Sequence, residues 1–170
     1  MIRFTSKKDT GKYNKLTTGQ AETRKLGQKL GQAILKSLDS KDNFIIGLYG
    51  DLGGGKTTFI KGIASGLGIK KPITSPTFTL LKQYKTPKVE LFHFDFYRLK
   101  NPNDAFGVGL EEYLKKPGSV SVIEWADRVE GFLSQENLAI EFDFISQNQR
   151  KLTFKPKGKK YKELTKLLFA

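Results

Sequence analysis

The chain has 170 residues, 38% of them hydrophobic, with no cysteine and a formal net charge of +13. That length suits one domain with a real core, and the spread of Ile, Val, Leu and Phe argues against wholesale disorder. The lack of cysteine excludes a disulfide scaffold and thiolate metal sites, and no apolar stretch approaches the roughly 20 residues that span a bilayer. Met1 to Lys8 lacks the apolar core of a secretory signal, which predicts a cytoplasmic protein that does not engage membranes. Much of the positive charge lies at Arg150, Lys151 and the basic tail of about 155–170, with more in the first 30 residues. Such charge admits direct contact with RNA. The plainer reading is a solvated surface, because no RNA-binding aromatic signature accompanies the lysines.

Taken in chain order, Thr17-x-x-Gln20 predicts the cap of a helix whose apolar positions are Leu26, Leu30, Ala33, Ile34 and Leu38. Phe44 to Tyr49 is a short apolar run with strand character. It leads into Gly50-Asp51-Leu52-Gly53-Gly54-Gly55-Lys56-Thr57, and Thr58 to Ala64 continues as a helix that stops near Gly66-Leu67-Gly68. Pro72 to Thr77 is a proline-punctuated loop. Thr79 to Tyr84 and Val89 to Tyr97 predict an antiparallel strand pair joined by Lys85-Thr86-Pro87-Lys88. Asn101-Pro102 opens a helix through about Leu114, and Ser119 to Glu124 is a buried strand. Leu138, Ile140, Phe142 and Phe144 alternate with Glu141 and Asp143 as in a half-exposed antiparallel strand, with Leu152-Thr153-Phe154 as its partner. Lys162 to Phe169 closes the chain as a short helix. The sum is a single α/β domain, P-loop NTPase-like, whose mixed parallel and antiparallel sheet is flanked by helices.

The segment Gly50 to Thr57 fits the P-loop pattern G-x-x-x-x-G-K-[ST], and strand, loop and helix follow in the order its mechanism requires. Glycines let the backbone turn tightly enough to aim several N–H groups at one phosphate chain, and the helix N-terminus adds its dipole. Lys56 then reaches the β- and γ-phosphates, and the Thr57 hydroxyl is placed for Mg²⁺.

Such a site needs an acidic residue at the end of a second apolar strand, to hold Mg²⁺ directly or through water. Glu124 ends one such strand and Asp95 another. A carboxylate in that setting must face a cation, a donor or water. Arg98 and Arg128 are the candidate structural partners. His93, the sole histidine, shares a face with Leu91 and Asp95 and is assigned no catalytic role. Ser75 and Thr77 flank Pro76 in a loop that can approach the γ-phosphate and sense the nucleotide. Trp125 reads as a packing anchor.

Gly50-Asp51-Leu52-Gly53-x-Gly55-Lys56-Thr57-Thr58, Ser75-Pro76-Thr77-Phe78-x-Leu80, His93-Phe94-Asp95-Phe96-Tyr97-Arg98-Leu99 and Ile123-Glu124-Trp125 occur in that order. Together they resemble the TsaE (also called YjeE) family, bacterial ATPases involved in making threonylcarbamoyladenosine in tRNA, over about Thr18 to Phe154. The resemblance implies a small P-loop α/β fold. It implies that Gly50, Asp51, Leu52, Gly53, Gly54, Gly55, Lys56, Thr57 and Thr58 cradle ATP, and that Thr57 and Glu124 ligate Mg²⁺. It makes Asp95 the carboxylate required for hydrolysis, with Lys56 beside it. Thr23 is placed near the base, and Arg150 matches a late basic residue that contacts nucleotide. Two positions depart from the family pattern: Gly54 stands where alanine is usual, and Phe96 where leucine is usual.

The partners so implied are the TsaB–TsaD pair, which performs the transfer to adenosine beside the anticodon, with tRNA reached through that complex. Hydrolysis by positioning alone, without a supplied arginine, is expected to be slow; Arg98 is a candidate stabiliser. Two other readings share the P-loop. A small-molecule or nucleoside kinase needs an acceptor and an Arg-bearing lid, and no Arg-rich lid segment is evident. A nucleotide-gated binding module needs occupancy rather than turnover.

Overall fold

The computed structural model describes residues 11–170, so the reading of Met1 to Lys8 lies outside the described residues. In chain order the elements are β1 (Tyr13–Thr18), α1 (Gln20–Ser37), β2 (Asn43–Tyr49), α2 (Lys56–Gly66), β3 (Leu81–Lys85), β4 (Glu90–Asp95), α3 (Leu110–Leu114), β5 (Ser119–Glu124), β6 (Asn137–Ser146), β7 (Gln149–Lys157) and α4 (Lys159–Phe169), with 3₁₀ segments over Pro102–Val108 and Ala126–Phe132. The strands form one seven-stranded sheet in the order β1-β7-β6-β2-β5-β4-β3. The centre, β6-β2-β5-β4, is parallel, while β3, β7 and β1 pair antiparallel with their neighbours.

Alternation along the central strands sorts side chains into two cores. Phe44, Ile46 and Leu48 of β2 join Leu91, Val120, Val122 and Ile140 beneath α1, α2 and α4. Ile45, Phe92, Phe94 and Ile123 point the other way, against Ala105, Leu110, Leu114 and Val129. By the same alternation His93, Asp95 and Glu124 fall on the α1–α2 side, the side from which the P-loop approaches. Asp95 pairs in register with Glu124, and Glu124 with Leu48. Among the described residues no helix is long and apolar enough to cross a membrane.

Helices α1 and α2 pack at backbone contact. A Cβ added to Gly27, Gly31, Gly62 or Gly66 would lie 2.1–2.3 Å from a carbonyl oxygen of the opposite helix. Only hydrogen fits at these four positions.

Several expectations need correction. The helix does not start from a Thr17–Gln20 box. Thr17 is the fifth residue of β1, and Gly19 caps α1 with no side-chain hydrogen bond. Instead the Thr18 amide donates to the Glu22 carboxylate at 2.7 Å, which lowers that carboxyl's pKa. Strand β1 itself was not expected, because its pattern is inverted: Leu16 is 49% exposed and Thr17 1%. The helix expected from Pro102 to Leu114 breaks at Gly109, whose φ is +70°, into a 3₁₀ segment and the short α3. Strand β3 begins at Leu81 rather than Thr79. The Thr79 and Leu80 amides both donate to the Pro76 carbonyl and close a turn first. Strand β6 is antiparallel to β7 as expected but also parallel to β2 over Leu138–Glu141. Its outer end projects past β2, which leaves Phe144 64% exposed. The basic tail is the end of β7 and α4, and it buries Tyr161, Leu164 and Thr165.

Candidate functional site

The P-loop crosses the end of β2 and enters α2. Gly50 there has φ +133°, and a Cβ on it would sit 2.6 Å from the Phe142 carbonyl oxygen, so the turn accepts only glycine. Gly55 caps α2 in a left-handed conformation with no side-chain cap, leaving the first amides of the helix free for an anion. Lys56 is buried, and its Nζ donates to the carbonyls of Gly50 at 2.6 Å and Asp51 at 2.8 Å. Its ammonium also lies 4.4 Å from the centroid of the Trp125 ring. Burial lowers the Lys56 pKa, and the nearby carboxylates of Glu124, Asp95 and Asp51 oppose that shift.

Thr57 faces β5. Its hydroxyl is 3.2 Å from Glu124 Oε1 and 3.1 Å from Oε2, and it donates to the carboxylate. His93 Nε2 lies 2.7 Å from Glu124 Oε1 on the other side. Asp95 is held by the loop before β3: Ser75 Oγ donates to its Oδ2 at 2.7 Å and Thr77 Oγ1 at 3.0 Å, while the Tyr97 amide donates to Oδ1 at 3.0 Å. Both strand-end carboxylates therefore meet hydroxyl donors, and neither pairs with Arg98 or Arg128, the structural alternative. Arg98 stacks on the Phe78 ring, with Cζ 4.2 Å from its centroid, and Arg128 donates to the Leu99 carbonyl at 2.8 Å.

These groups line one cleft of about 540 Å³, within the range of small-ligand sites. Leu52 through Thr58, Thr23 of α1, Asp95, Glu124 and Arg150 all line it. Gly50 and Asp51 stand back from the wall, with their carbonyls turned to Lys56. The Thr23 hydroxyl is 2.8 Å from Thr17 Oγ1 and donates to the Gly19 carbonyl, so its hydrogen bonds tie α1 to β1. Arg150 Nη2 donates to the Gly53 carbonyl at 3.3 Å, Nη1 donates to Ser146 and Gln149, and the guanidinium sits over Phe144. It thereby fastens the β6–β7 turn to the P-loop.

Six further residues reach the cleft that the motifs did not single out for it: Gly19, Gln20, Tyr97, Trp125, Gln147 and Asn148. Trp125 was read as packing. It stands with φ +58° directly after Glu124 and packs against Tyr97 with ring centroids 5.1 Å apart. A bulky residue in that conformation is rare and marks a constrained position, but only coordinates reveal it. Gln147 and Asn148 form the tip between β6 and β7, and their only sequence signal is two polar residues between strands.

Oxygen donors from Thr57 and Glu124 suit a hard cation. Among the described residues no three acidic or histidine side chains gather into a metal site. Mg²⁺ takes one or two protein ligands and completes its shell with other oxygens, so Thr57 and Glu124 would suffice to hold it.

Comparison with known proteins agrees with this geometry. Residues 17–152 match the family described as "Threonylcarbamoyl adenosine biosynthesis protein TsaE". Proteins named tRNA threonylcarbamoyladenosine biosynthesis protein TsaE are similar in sequence. The one from Bacillus subtilis is 39% identical over 153 residues, covering 90% of this chain and 92% of its own. The one from Treponema pallidum is 37% identical over 132 residues, covering 78% and 92%. The crystal structure of Bacillus subtilis YdiB superposes with a TM-score of 0.76 and 35% identity, covering 93% of this chain and 94% of that one. The P-loop, both strand-end carboxylates, Thr23 and Arg150 all lie inside the matched segment, and the chain belongs to the TsaE family.

Proposed function

We propose that this protein is a Mg²⁺-dependent ATPase serving the threonylcarbamoyladenosine modification of tRNA, acting with the TsaB–TsaD pair and meeting tRNA through that complex. The observation that carries the reading is the approach of the Thr57 hydroxyl to Glu124 within 3.1–3.2 Å, with Asp95 on the adjacent strand in register. A P-loop that only bound phosphate would need neither carboxylate.

ATP lies along the cleft with its phosphates over the free amides at the start of α2. Lys56 leaves the carbonyls of Gly50 and Asp51 and swings to the phosphate chain. Its present bonds keep the ammonium solvated within the protein until an anion arrives. Thr57 and Glu124 would hold Mg²⁺, which would supply positive charge to offset that of the phosphates. Asp95 accepts a hydrogen bond from the attacking water and orients it in line with the γ-phosphorus. Attack breaks the bond to the β–γ bridging oxygen and yields ADP and inorganic phosphate. Asp95 Oδ2 already holds the Ser75 and Thr77 hydroxyls, whereas Oδ1 holds only the Tyr97 amide and keeps an acceptor site for that water.

No arginine other than Arg150 lines the cleft among the described residues. With Arg98 on Phe78, intrinsic turnover is slow. The test is ATP hydrolysis by the protein alone and with the TsaB–TsaD pair, using Asp95→Ala as control. Stimulation by the pair that vanishes in Asp95→Ala is expected, with nucleotide binding retained. Turnover unchanged in that variant refutes the role given to Asp95. Phosphate transfer to an added acceptor rather than water refutes the ATPase reading in favour of a kinase.

A further inference from the structure

His93 is the protein's only histidine and is fully buried. Its Nε2 is 2.7 Å from Glu124 Oε1, while its Nδ1 is buried with no hydrogen-bond partner. A protonated ring nitrogen without an acceptor is costly, so the proton of the neutral ring belongs on Nε2 and is donated to Glu124. His93 does not reach the cleft. Whatever it contributes to the site passes through that carboxylate.

The carboxylate needs such a contact. Glu124 ends a strand and carries two oxygens that must be told apart if one is to face a cation. The Thr57 hydroxyl does not tell them apart, being 3.2 Å from one and 3.1 Å from the other. The bond from His93 does: it falls on Oε1 and leaves Oε2 with the Thr57 hydroxyl as its hydrogen-bond partner. His93 pairs with Val122, two residues before Glu124, so the two side chains meet on a diagonal across β4 and β5. Sheet register thus holds the ring in place, with no loop involved.

We propose that His93 is a positioning residue for the metal carboxylate: its Nε2–H pins Oε1 and fixes the rotation of Glu124, so that Oε2 and the Thr57 hydroxyl are presented together to Mg²⁺. The inference rests on the Mg²⁺-dependent ATPase reading.

The experiment titrates Mg²⁺ into the full-length protein with a non-hydrolysable ATP analogue. It follows Trp125, the only tryptophan, whose ring contacts the Lys56 ammonium. In His93→Leu the Mg²⁺ concentration for half-maximal response rises by about 10- to 100-fold, as for other residues that orient a metal ligand. In His93→Gln, whose amide donates from nearly the same place, it returns toward the wild-type value. A folded His93→Leu protein with wild-type Mg²⁺ response overturns the proposal, and so does a His93→Gln protein as impaired as His93→Leu. If His93→Leu does not fold, His93→Gln and the nitrogen resonances of the single imidazole in the ¹⁵N-labelled protein decide. A proton found on Nδ1 overturns the assignment, and one on Nε2 that responds to Mg²⁺ with the analogue supports it. Wild-type protein whose analogue binding ignores Mg²⁺ sinks the ATPase reading and this proposal together. A null result confined to the variants sinks this proposal alone.

Discussion

Replacing Gly62 with alanine tests whether the contact between α1 and α2 sets the position of the P-loop. A Cβ there would lie 2.1 Å from the Arg24 carbonyl oxygen and 2.9 Å from the Gln28 amide nitrogen. Both are backbone atoms inside a helix, so no side chain can rotate away. Opening the 2.1 Å approach to an ordinary 3.4 Å contact parts the helices by about 1.3 Å. Overpacking costs about 3 kcal/mol where backbone must move, and the better helix propensity of alanine returns about 1 kcal/mol. The balance is a loss of about 2 kcal/mol, or about 4–8 °C in Tm for a chain of this size. Because Lys56 opens α2, the same displacement moves the phosphate cradle, and ATP-analogue affinity falls with Tm. Thermal unfolding by circular dichroism and calorimetric titration of the analogue read both effects. Gly131→Ala, whose Cβ meets nothing within 4 Å, is the control. A Gly62→Ala protein that melts with the control and binds as tightly refutes the reasoning.

Three further outcomes are expected. In Lys56→Ala the lost attraction to phosphate is about 4 kcal/mol, less the carbonyl bonds that Lys56 gives up, leaving roughly 2–3 kcal/mol or about 100-fold in analogue affinity by calorimetry. Affinity within about threefold of wild type would contradict the part given to that ammonium. In Glu124→Ala, analogue binding loses its dependence on added Mg²⁺, and an unaltered metal response rejects the ligand role. Tyr161 has its pKa raised to about 12 by burial, partly opposed by the bond its oxygen accepts from the Ile45 amide. A raised pKa means that the folded state holds the proton more tightly. This contribution is therefore full below the unfolded value near pH 10 and is lost as pH rises through about 12. Tyr161→Phe removes that part of the alkaline loss, on the order of 2 kcal/mol; wild-type and variant urea-unfolding curves that stay parallel from pH 9 to 11.5 would refute it.

The parallel heart of the sheet was legible because its strands are short apolar runs with fixed punctuation. Phe44 to Tyr49 and Ser119 to Glu124 read as strands with ends within a residue of those observed. That Lys56, Glu124 and Asp95 would gather in one cleft was legible from a P-loop lysine and two carboxylates closing apolar strands. What stayed hidden depended on contacts distant in sequence. Thr17 points inward because Thr23 waits there as a hydrogen-bond partner, which no local pattern announces. The two-sided pairing of β6 requires β2, about ninety residues earlier, and alternation looks the same whichever neighbour a strand has. The helix from Pro102 was cut at Gly109 by a left-handed residue that propensity alone only disfavours. For Asp95 the motif named the residue but not its companions, since Ser75 and Thr77 are brought to it by a loop.

The sheet order β2-β5-β4 also works as a ruler. Neighbouring strands lie about 4.8 Å apart, so the strand that delivers the P-loop and the strand that ends in Asp95 are separated by about 10 Å. Glu124, which closes the strand between them, stands at the midpoint. On the function proposed above, a diphosphate seated on the P-loop would reach Glu124 and stop short of Asp95, whereas a triphosphate would span both marks. On that reading, strand spacing would gauge the difference between ATP and ADP at Asp95, the carboxylate to which the Ser75 and Thr77 hydroxyls donate.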